Sequence, residues 1–363
     1  MARIPAARRA AVVATLCALS ALGAPAPAVP ALASAAQAPA WQIMHLGGPA
    51  DLRGISPVND QVVWASGSHG TVLRTTDGGL TWRRVSPPGT RALEFRGLHA
   101  FDADNAVLMS IGNHPDDFRI YLTADGGRHW SVTNQNRNPQ AFYDCMAFFG
   151  RDRGLVMSDP VNGKFRILVT NDGGLTWHID APANMPAAHH SEYGFAASNS
   201  CITTAGPLDA WFGSGGKKGS RVFHSSDGGR IWTVAPTHIR RGPAAGIFSV
   251  AFEGSLHGLA IGGDFTKPRN APRALALTAD GGRTWTTVDR SAAPAGYRSG
   301  ATWIPGMPGT ALAVGLTGSD VSTDGGFDWQ RFDGGSFDAV VCSADGSCWA
   351  SGADERIGRL TFG

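Results

Sequence analysis

An eight-residue string recurs six times along this chain and constrains its fold more than any other feature. Its template is Ser/Thr-x-Asp-Gly-Gly-x-x-Trp, and successive aspartates lie 44 to 55 residues apart. Self-similarity at a nearly constant period is typical of repeat architectures. The six copies are TTDGGLTW at 75–82, TADGGRHW at 123–130, TNDGGLTW at 170–177, SSDGGRIW at 225–232, TADGGRTW at 278–285 and STDGGFDW at 322–329.

The chemistry of the string predicts a structural role. Glycines adopt positive φ without a Cβ penalty, so Asp-Gly-Gly favours a tight turn between two strands. The aspartate can accept hydrogen bonds from the turn amides, and the tryptophan has the area to fill a gap between packed sheets. A catalytic aspartate would not be needed six times. We therefore predict structural roles for Asp77, Asp125, Asp172, Asp227, Asp280 and Asp324, and for Trp82, Trp130, Trp177, Trp232, Trp285 and Trp329.

Each period has room for four short strands, which predicts an all-β, seven-bladed β-propeller. In the first period, strands A to D are expected at 52–57, 61–67, 71–77 and 80–86. Residues 336–362 repeat strands A to C without the string, and residues 40–46, with Trp41 in the tryptophan position, would supply the missing strand D and hide a sheet edge. The predicted blades span 52–87, 95–134, 141–180, 194–235, 246–289, 297–332, and 336–362 plus 40–46.

The N-terminus predicts export. Arg3, Arg8 and Arg9 precede an apolar run at 10–23, which is too short for a comfortable membrane span, and small residues follow it. We interpret 1–35 as a signal peptide that is removed, leaving 36–363 as a single domain in the periplasm or outside the cell. Removing three arginines leaves 28 basic against 29 acidic residues, a net charge of −1, which argues against nucleic-acid binding driven by bulk charge.

Aligning the blades on strand A predicts a ring of side chains at one mouth of the channel, on the face opposite the Asp-Gly-Gly turns. Three arginines there would suit a carboxylate or phosphate, because guanidinium groups make paired planar hydrogen bonds. Alternatively, they pair with the ring's aspartates and only complete the channel wall. The aligned residues are Arg53, Arg96, Asp144, Asn199, Phe248, Arg298 and Asp338.

The loops between strands B and C are longest in blades 2 to 5 and are expected to wall one side of this mouth. Long loops on a rigid scaffold commonly carry binding residues. The first candidates are Asp159, Lys164, Asp264 and Lys267.

The four cysteines of the mature chain fall into two pairs. Cys342 and Cys348 flank a short turn, and an exported compartment permits the disulfide that we predict between them. Cys145 and Cys201 lie near strand A of adjacent blades, where we expect buried thiols rather than a bond.

Neither a metal nor a cofactor is predicted. His114 with Asp116 and Asp117 lacks a strong zinc spacing, and so does the group of His189, His190 and Glu192. The sequence contains no haem-attachment, redox-pair or dinucleotide-binding motif.

The repeated string is the Asp-box, or BNR repeat, and its context resembles the photosystem II stability/assembly factor-like family of seven-bladed propellers. The segment at 52–82 is similar to a blade of that family almost throughout, and those at 158–177, 246–268 and 296–306 resemble a non-photosynthetic bacterial branch. Photosynthetic members act as assembly chaperones for a reaction-centre subunit. Members of the bacterial branch are often called oxidoreductases, for which this chain offers no motif.

The sequence therefore favours an exported, monomeric, non-enzymatic protein that binds a protein segment or a small anionic ligand, without nucleic acid and without a transmembrane segment. The alternative is a sialidase-like glycan hydrolase, in which Arg53, Arg96 and Arg298 would form a carboxylate-binding triad and Asp144 or Asp338 would act as the acid. The Phe/Tyr-Arg-Ile-Pro motif expected of that class is missing. A second alternative is the oxidoreductase.

Overall fold

A computed structural model describes residues 38–363, which form seven antiparallel four-stranded β-sheets arranged as the blades of a propeller. The predicted signal peptide lies outside the described residues. Two short 3-10 turns, Pro115–Asp117 and Pro182–Asn184, interrupt the strands. Within residues 38–363, no helix has the length and apolar character needed to cross a membrane.

In blades 1 to 6, strands A to D follow one another along the chain, from the channel outwards. Blade 1 consists of Leu52–Pro57, Val63–Gly67, Thr71–Thr75 and Arg83–Arg84. Blade 2 consists of Glu94–Ala100, Ala106–Ile111, Arg119–Thr123 and Ser131–Gln135. Blade 3 consists of Tyr143–Phe148, Gly154–Val161, Lys164–Thr170 and His178–Ile179. Blade 4 consists of Ile202–Ala205, Asp209–Gly213, Arg221–Ser225 and Thr233–Pro236.

The remaining blades repeat this pattern with two additions. Blade 5 consists of Ala245–Glu253, His257–Asp264, Leu275–Thr278 and Thr286–Thr287, and the two-residue strands Glu192–Tyr193 and Gly215–Gly216 extend its inner edge. Blade 6 consists of Gly300–Trp303, Ala311–Gly315, Gly318–Ser322 and Gln330–Asp333. Blade 7 consists of Ala339–Cys342, Cys348–Gly352 and Arg356–Phe362, with Pro39–His45 as its outer strand.

The N-terminal strand closes the ring, and the predicted closure is confirmed. Residues 39–45 pair antiparallel with 356–362 along their whole length, from Pro39 opposite Phe362 to His45 opposite Arg356. Trp41 reaches the preceding blade, where its Nε1 donates to Oγ of Ser319 at 2.9 Å.

Apolar clusters occupy all seven junctions between neighbouring blades. The Asp-box tryptophan of a blade packs on the blade before it: Trp130 of blade 2 contacts Trp64 edge-on at 6.3 Å, and Trp82 of blade 1 contacts Trp349 of blade 7 at the same separation. In blade 7, Trp41 takes that position without a box. The core is therefore a ring of seven interfaces, and the strands nearest the channel are free to present side chains to it.

Each Asp-box turn is closed by its own side chains. In blade 5, Oγ1 of Thr278 donates to Asp280 at 2.8 Å and accepts from the amide of Gly282 at 3.0 Å, while Asp280 accepts from the amide of Thr284 at 3.0 Å. Gly281 and Gly282 have φ of +76° and +85°, which residues with a Cβ rarely adopt. The hydrogen bonds, led by that from the Thr284 hydroxyl, lower the pKa of Asp280 to about 2. The same Ser/Thr–Asp–Gly contacts occur in the other five boxes.

Two disulfides are present. Cys342 and Cys348 are joined across their hairpin. The expectation of buried thiols at Cys145 and Cys201 was wrong, because these residues are also bonded. They lie 56 residues apart in sequence, but the first strands of blades 3 and 4 bring their Cα atoms to 5.9 Å.

Candidate functional site

The mouth of the channel is shaped by β-bulges in four of the first strands. The register between strands A and B shifts at Arg53 in blade 1, Arg96 in blade 2, Asp144 in blade 3 and Phe248 in blade 5. A bulge leaves one residue unpaired and re-aims its side chain. At these four positions, the bulged backbone therefore changes the direction in which the side chain leaves the strand.

A cavity of about 330 Å³, called here the mouth pocket, opens at this end of the channel. Its aromatic wall is tightly packed: Phe195 stacks on Phe248 with centroids 4.0 Å apart, and Tyr297 meets Phe248 edge-on at 4.8 Å. Phe265 and Leu316 remain 46% and 44% exposed, which is unusual for side chains of this size. The lining residues are Arg53, Arg96, Phe195, Ala196, Ala197, Phe248, Phe265, Tyr297, Leu316 and Asp338.

Glu94 lies between the two arginines of the pocket. Its Oε1 is 3.4 Å from Nε of Arg53 and 3.0 Å from Nε of Arg96, and its Oε2 accepts from a terminal nitrogen of Arg96 at 3.0 Å. Arg96 also donates to the carbonyl of Ala196 at 2.5 Å. Arg53 donates to Asp338 at 3.3 Å. The alternative interpretation expected these arginines to pair with aspartates of the ring. Arg53 does contact Asp338, but the carboxylate that both arginines share is that of Glu94.

The electrostatics of the pocket keep Arg53 charged. Burial opposes its charge, but the carboxylates of Asp338 and Glu94 outweigh this effect and raise its pKa. Burial raises the pKa of Asp338, while Arg53 acts in the opposite direction. Burial also raises the pKa of Tyr297, so its hydroxyl stays neutral.

Arg298 does not belong to the mouth, and the predicted cluster of three arginines was wrong. Its side chain is fully buried, and its Nε donates to Oδ2 of Asp320 at 2.6 Å. A terminal nitrogen donates to the carbonyl of Tyr297 at 2.8 Å and to Oγ1 of Thr317 at 2.9 Å. Arg298 precedes the first strand of blade 6, where the A–B register is unbroken, and its side chain turns into the blade.

Asp144, which is buried, and Asp159, which is partly buried, form an acid pair beside the pocket. Asp144 is 1% exposed, and its Oδ2 has no hydrogen-bond partner within residues 38–363. Oδ1 of Asp159 accepts from the amide of Gly194 at 2.8 Å. Burial, and then repulsion from Asp159, raises the pKa of Asp144 well above its ordinary value. Burial raises the pKa of Asp159 to about 6.

The other predicted residues are dispersed, and none of them lines the mouth pocket. Asn199 joins the first strands of blades 2 and 3, accepting from the amide of Met146 at 2.8 Å. Lys164 lines a different cavity, of about 300 Å³, in the outer part of blade 3. Asp264 is buried and accepts from the Thr266 hydroxyl at 2.6 Å, and Lys267 is exposed.

The sequence-based prediction missed Glu94 and the aromatic wall of the pocket. Glu94 lies two residues before Arg96 in the sequence, and an acidic residue so close to a candidate arginine was a usable signal. Phe195 and Phe265 carry no such signal, because the chain positions them through irregular segments. The blade 5 loop reaches the pocket, as its length predicted, but it does so through Phe265 rather than through Asp264 or Lys267.

The opposite end of the channel is wider and differently lined. A cavity of about 580 Å³ lies among the ends of the first strands, bordered by His99, Phe148 and Glu253. His99 stacks on Phe148 at 4.7 Å, and burial lowers its pKa to about 4, so it is neutral at physiological pH. No three His, Cys, Asp or Glu side chains within residues 38–363 are grouped to hold a metal ion.

Comparison with known proteins identifies the fold. No protein-family model matches the chain, and no curated protein matches it. Among solved structures, YCF48 bound to a D1 peptide is similar at a TM-score of 0.62 and 16% identity, over 88% of this chain and 96% of that one. YCF48 from Cyanidioschyzon merolae is similar at a TM-score of 0.61 and 17% identity, over 89% of this chain and 98% of that one. The seven-bladed propeller expected from the sequence resemblance is confirmed, while assignment to a non-photosynthetic branch stays a prediction.

Proposed function

We propose that this chain is an exported, non-enzymatic binding protein that holds a segment of a partner protein at the mouth pocket. The observation that carries the proposal is the meeting of an open aromatic pocket with a charged, partly exposed arginine. Arg53 keeps 27% of its side chain exposed, and its one hydrogen bond within residues 38–363 goes to Asp338. Arg96, by contrast, is held by both Glu94 and Ala196.

The chemistry of the pocket suits an apolar side chain next to a carboxylate. Phe248, Phe265 and Tyr297 provide an apolar wall on which a bulky aliphatic or aromatic side chain would be desolvated. Arg53 stands at the same cavity with donor capacity for a planar carboxylate. A protein segment supplies both groups within a few residues, whereas a small anion would leave the aromatic wall unused.

The similarity to YCF48 supports this proposal at the level of the fold. One of the YCF48 structures compared above has a D1 peptide bound to it. A propeller of this kind is therefore compatible with holding a protein segment, although fold alone does not establish function.

The glycan-hydrolase alternative is disfavoured by the burial of Arg298. A carboxylate-gripping triad requires three guanidinium groups around one ligand, and Arg298 is instead bound to Asp320 inside blade 6. The oxidoreductase alternative has no motif in its support.

The test is affinity capture from the envelope fraction, followed by a binding titration with the captured partner. Wild type, the double variant Arg53→Ala/Phe265→Ser and the matched control Arg283→Ala are compared; Arg283 is exposed and lies in an Asp-box turn on the opposite face. We expect the double variant to lose the partner at least about tenfold, a typical effect for residues that anchor an interface. Equal binding by all three proteins would overturn the proposal.

Export is tested separately. Cell fractionation should place the protein outside the cytoplasm, and N-terminal sequencing should find a start near residue 36, as the sequence predicts. An intact leader on a cytoplasmic protein would overturn this part.

A further inference from the structure

The junction between blades 5 and 6 is packed differently from the junction before it. Between blades 4 and 5, the ring of Trp211 stacks on His224 and on Phe252, with centroids 4.8 Å and 3.7 Å apart. Blade 5 carries Leu277 at the position of His224, one residue before the Asp-box. Leu259, which pairs with Leu277, takes the position of Trp211. Two smaller side chains therefore stand where the preceding junction has two stacked rings.

A cavity of about 490 Å³, called here the junction pocket, lies at this place on the Asp-box face. Nε1 of Trp303 donates to the carbonyl of Ala251 at 3.2 Å, so this wall of the pocket is fixed. Phe327, at the tip of the sixth Asp-box, is 64% exposed. The pocket thus offers one fixed and one exposed aromatic side chain. It is bordered by Glu253, His257, Leu277, Trp303 and Phe327.

Glu253 is a negative charge that no basic side chain offsets. It ends the first strand of blade 5 and is partly exposed, and the amide of Gly309 donates to its Oε1 at 3.0 Å and to its Oε2 at 3.3 Å. With Trp303, it also borders the cavity of about 580 Å³ at the wide end of the channel, so the two cavities adjoin. Among residues 38–363, no lysine or arginine lines either cavity.

The position of Glu253 limits what can fill the junction pocket. A ligand that occupies the pocket removes water from the carboxylate, and burying a charge without a partner is costly. A neutral apolar ligand would impose that cost, and an anion would add repulsion. A cation with an apolar body avoids both, because it pairs with the carboxylate and because aromatic rings attract cations. A metal ion would need several ligands, and the pocket supplies one carboxylate.

We propose that the junction pocket binds a small organic cation, an ammonium group attached to an apolar chain or ring, with Glu253 as its counterion and Trp303 and Phe327 as its aromatic walls. The volume suits a small molecule, since pockets for such ligands hold about 300–1,000 Å³. The site lies at the end of the channel opposite Arg53 and does not rest on the proposed function. The protein then has a cation-binding end and an arginine-bearing end.

The experiment is a calorimetric titration of the protein at pH 8 with phenethylammonium chloride and with 2-phenylethanol, its neutral match. At this pH alkylammonium ions are charged and imidazoles are largely neutral. Wild type should bind the ammonium ion at least about tenfold more tightly than the alcohol, since it gains both a charge-assisted and a cation–π contact. Glu253→Gln keeps an oxygen that can accept from Gly309 and removes the charge, so it should bind the ammonium ion about tenfold more weakly than wild type.

Three further variants locate the site. Asp152→Asn is the matched control, because it removes an exposed negative charge from the same face in blade 3, and it should bind as wild type. Phe327→Ala removes an exposed ring, so it should fold and should weaken the ammonium ion about threefold or more. The double variant Arg53→Ala/Phe265→Ser should bind the ammonium ion as wild type, which separates this site from the mouth pocket.

Equal wild-type affinity for the ammonium ion and the alcohol would overturn the proposal, and so would the lack of saturable binding at millimolar concentrations. Wild-type affinity in Glu253→Gln would overturn the role of Glu253 as counterion. If that variant does not fold, Phe327→Ala decides, because unchanged affinity for the ammonium ion would remove the pocket as the site. The titration needs no partner protein, so its result stands whether or not capture through Arg53 succeeds.

Discussion

The Asp-box turns and the mouth pocket lie at opposite ends of the same blades, and they differ in how their side chains are satisfied. In a box, Asp280 bonds to residues within four positions of itself, and the arrangement recurs in six blades. At the mouth, Arg53 contacts Asp338, which is 285 residues away, and no two of the four bulged positions have the same environment. Repetition therefore indicates scaffold here, and divergence at equivalent positions indicates the site.

The largest loss of stability is expected from removing the N-terminal strand that completes blade 7. Deleting residues 40–47 removes the outer strand of blade 7, exposes the edge at 356–362 and takes Trp41 from its interface. We expect the free energy of unfolding to fall by at least about 5 kcal/mol, since burial contributes about 1.5–3 kcal/mol for each large apolar side chain. Thermal unfolding measures this, and Trp41→Ala should show a smaller loss of about 3 kcal/mol. An unchanged midpoint in the deletion would contradict closure by this strand.

Arg298 distinguishes a buried scaffold charge from a mouth charge. Arg298→Ala leaves Asp320 buried without its main partner, so we expect a loss of about 3–5 kcal/mol in denaturant unfolding. Replacing both partners, as Arg298→Met with Asp320→Leu, should recover most of it, because the desolvated charges are then absent. If Arg298→Ala were as stable as wild type, Arg298 would not be part of the scaffold.

A substitution in an Asp-box turn should lower the free energy of unfolding by less than the loss of Arg298. Asp280→Ala removes one carboxylate that closes a surface turn, for an expected loss of about 1–2 kcal/mol. Because the pKa of Asp280 is lowered to about 2, its contribution is present above the ordinary aspartate pKa and is lost as pH falls towards 2. The difference between variant and wild type should shrink accordingly in acid. Asp328→Ala, an exposed acid in another box, is the control and should change stability by less than about 0.5 kcal/mol.

The smallest effect on stability is expected at Arg53, where the effect on binding is largest. Its ion pairs are partly exposed, and pairs of that kind contribute about 0–1 kcal/mol. Arg53→Ala should therefore unfold within about 1 kcal/mol of wild type while losing its partner in the capture assay. A large loss of stability would instead place Arg53 with Arg298 in the scaffold and remove the contrast between the two ends of the blades.

Much of the fold was predictable because the information is local. The Asp-box defines a turn by contacts within a few residues, and its spacing sets the length of a blade. The pairing of residues 39–45 with the last blade was predictable as well, because a ring that lacks one strand leaves a single place for it. The Cys145–Cys201 bond was not, since its geometry depends on how two neighbouring blades are packed.

The candidate site was predictable only in part. Alignment identified Arg53, Arg96, Asp144 and Phe248, the four positions that carry bulges, but it gave Arg298 the same role. The Asp-box motif does not encode whether the first strand of a blade is bulged, because a bulge depends on how the neighbouring strands pack. Glu94 could have been found from its place two residues before Arg96, whereas Phe195 reaches the pocket through an irregular segment.

By itself, the sequence determined a ring of repeated blades, the strand that closes it and the end of the channel on which to look for a site. Only the tertiary structure decided which charges face that mouth, that Glu94 lies between its two arginines, and that Arg298 is enclosed with Asp320. The physical reason is distance along the chain. A turn closes through neighbours that the sequence places side by side, while a charge is exposed or paired according to residues that only packing brings to it.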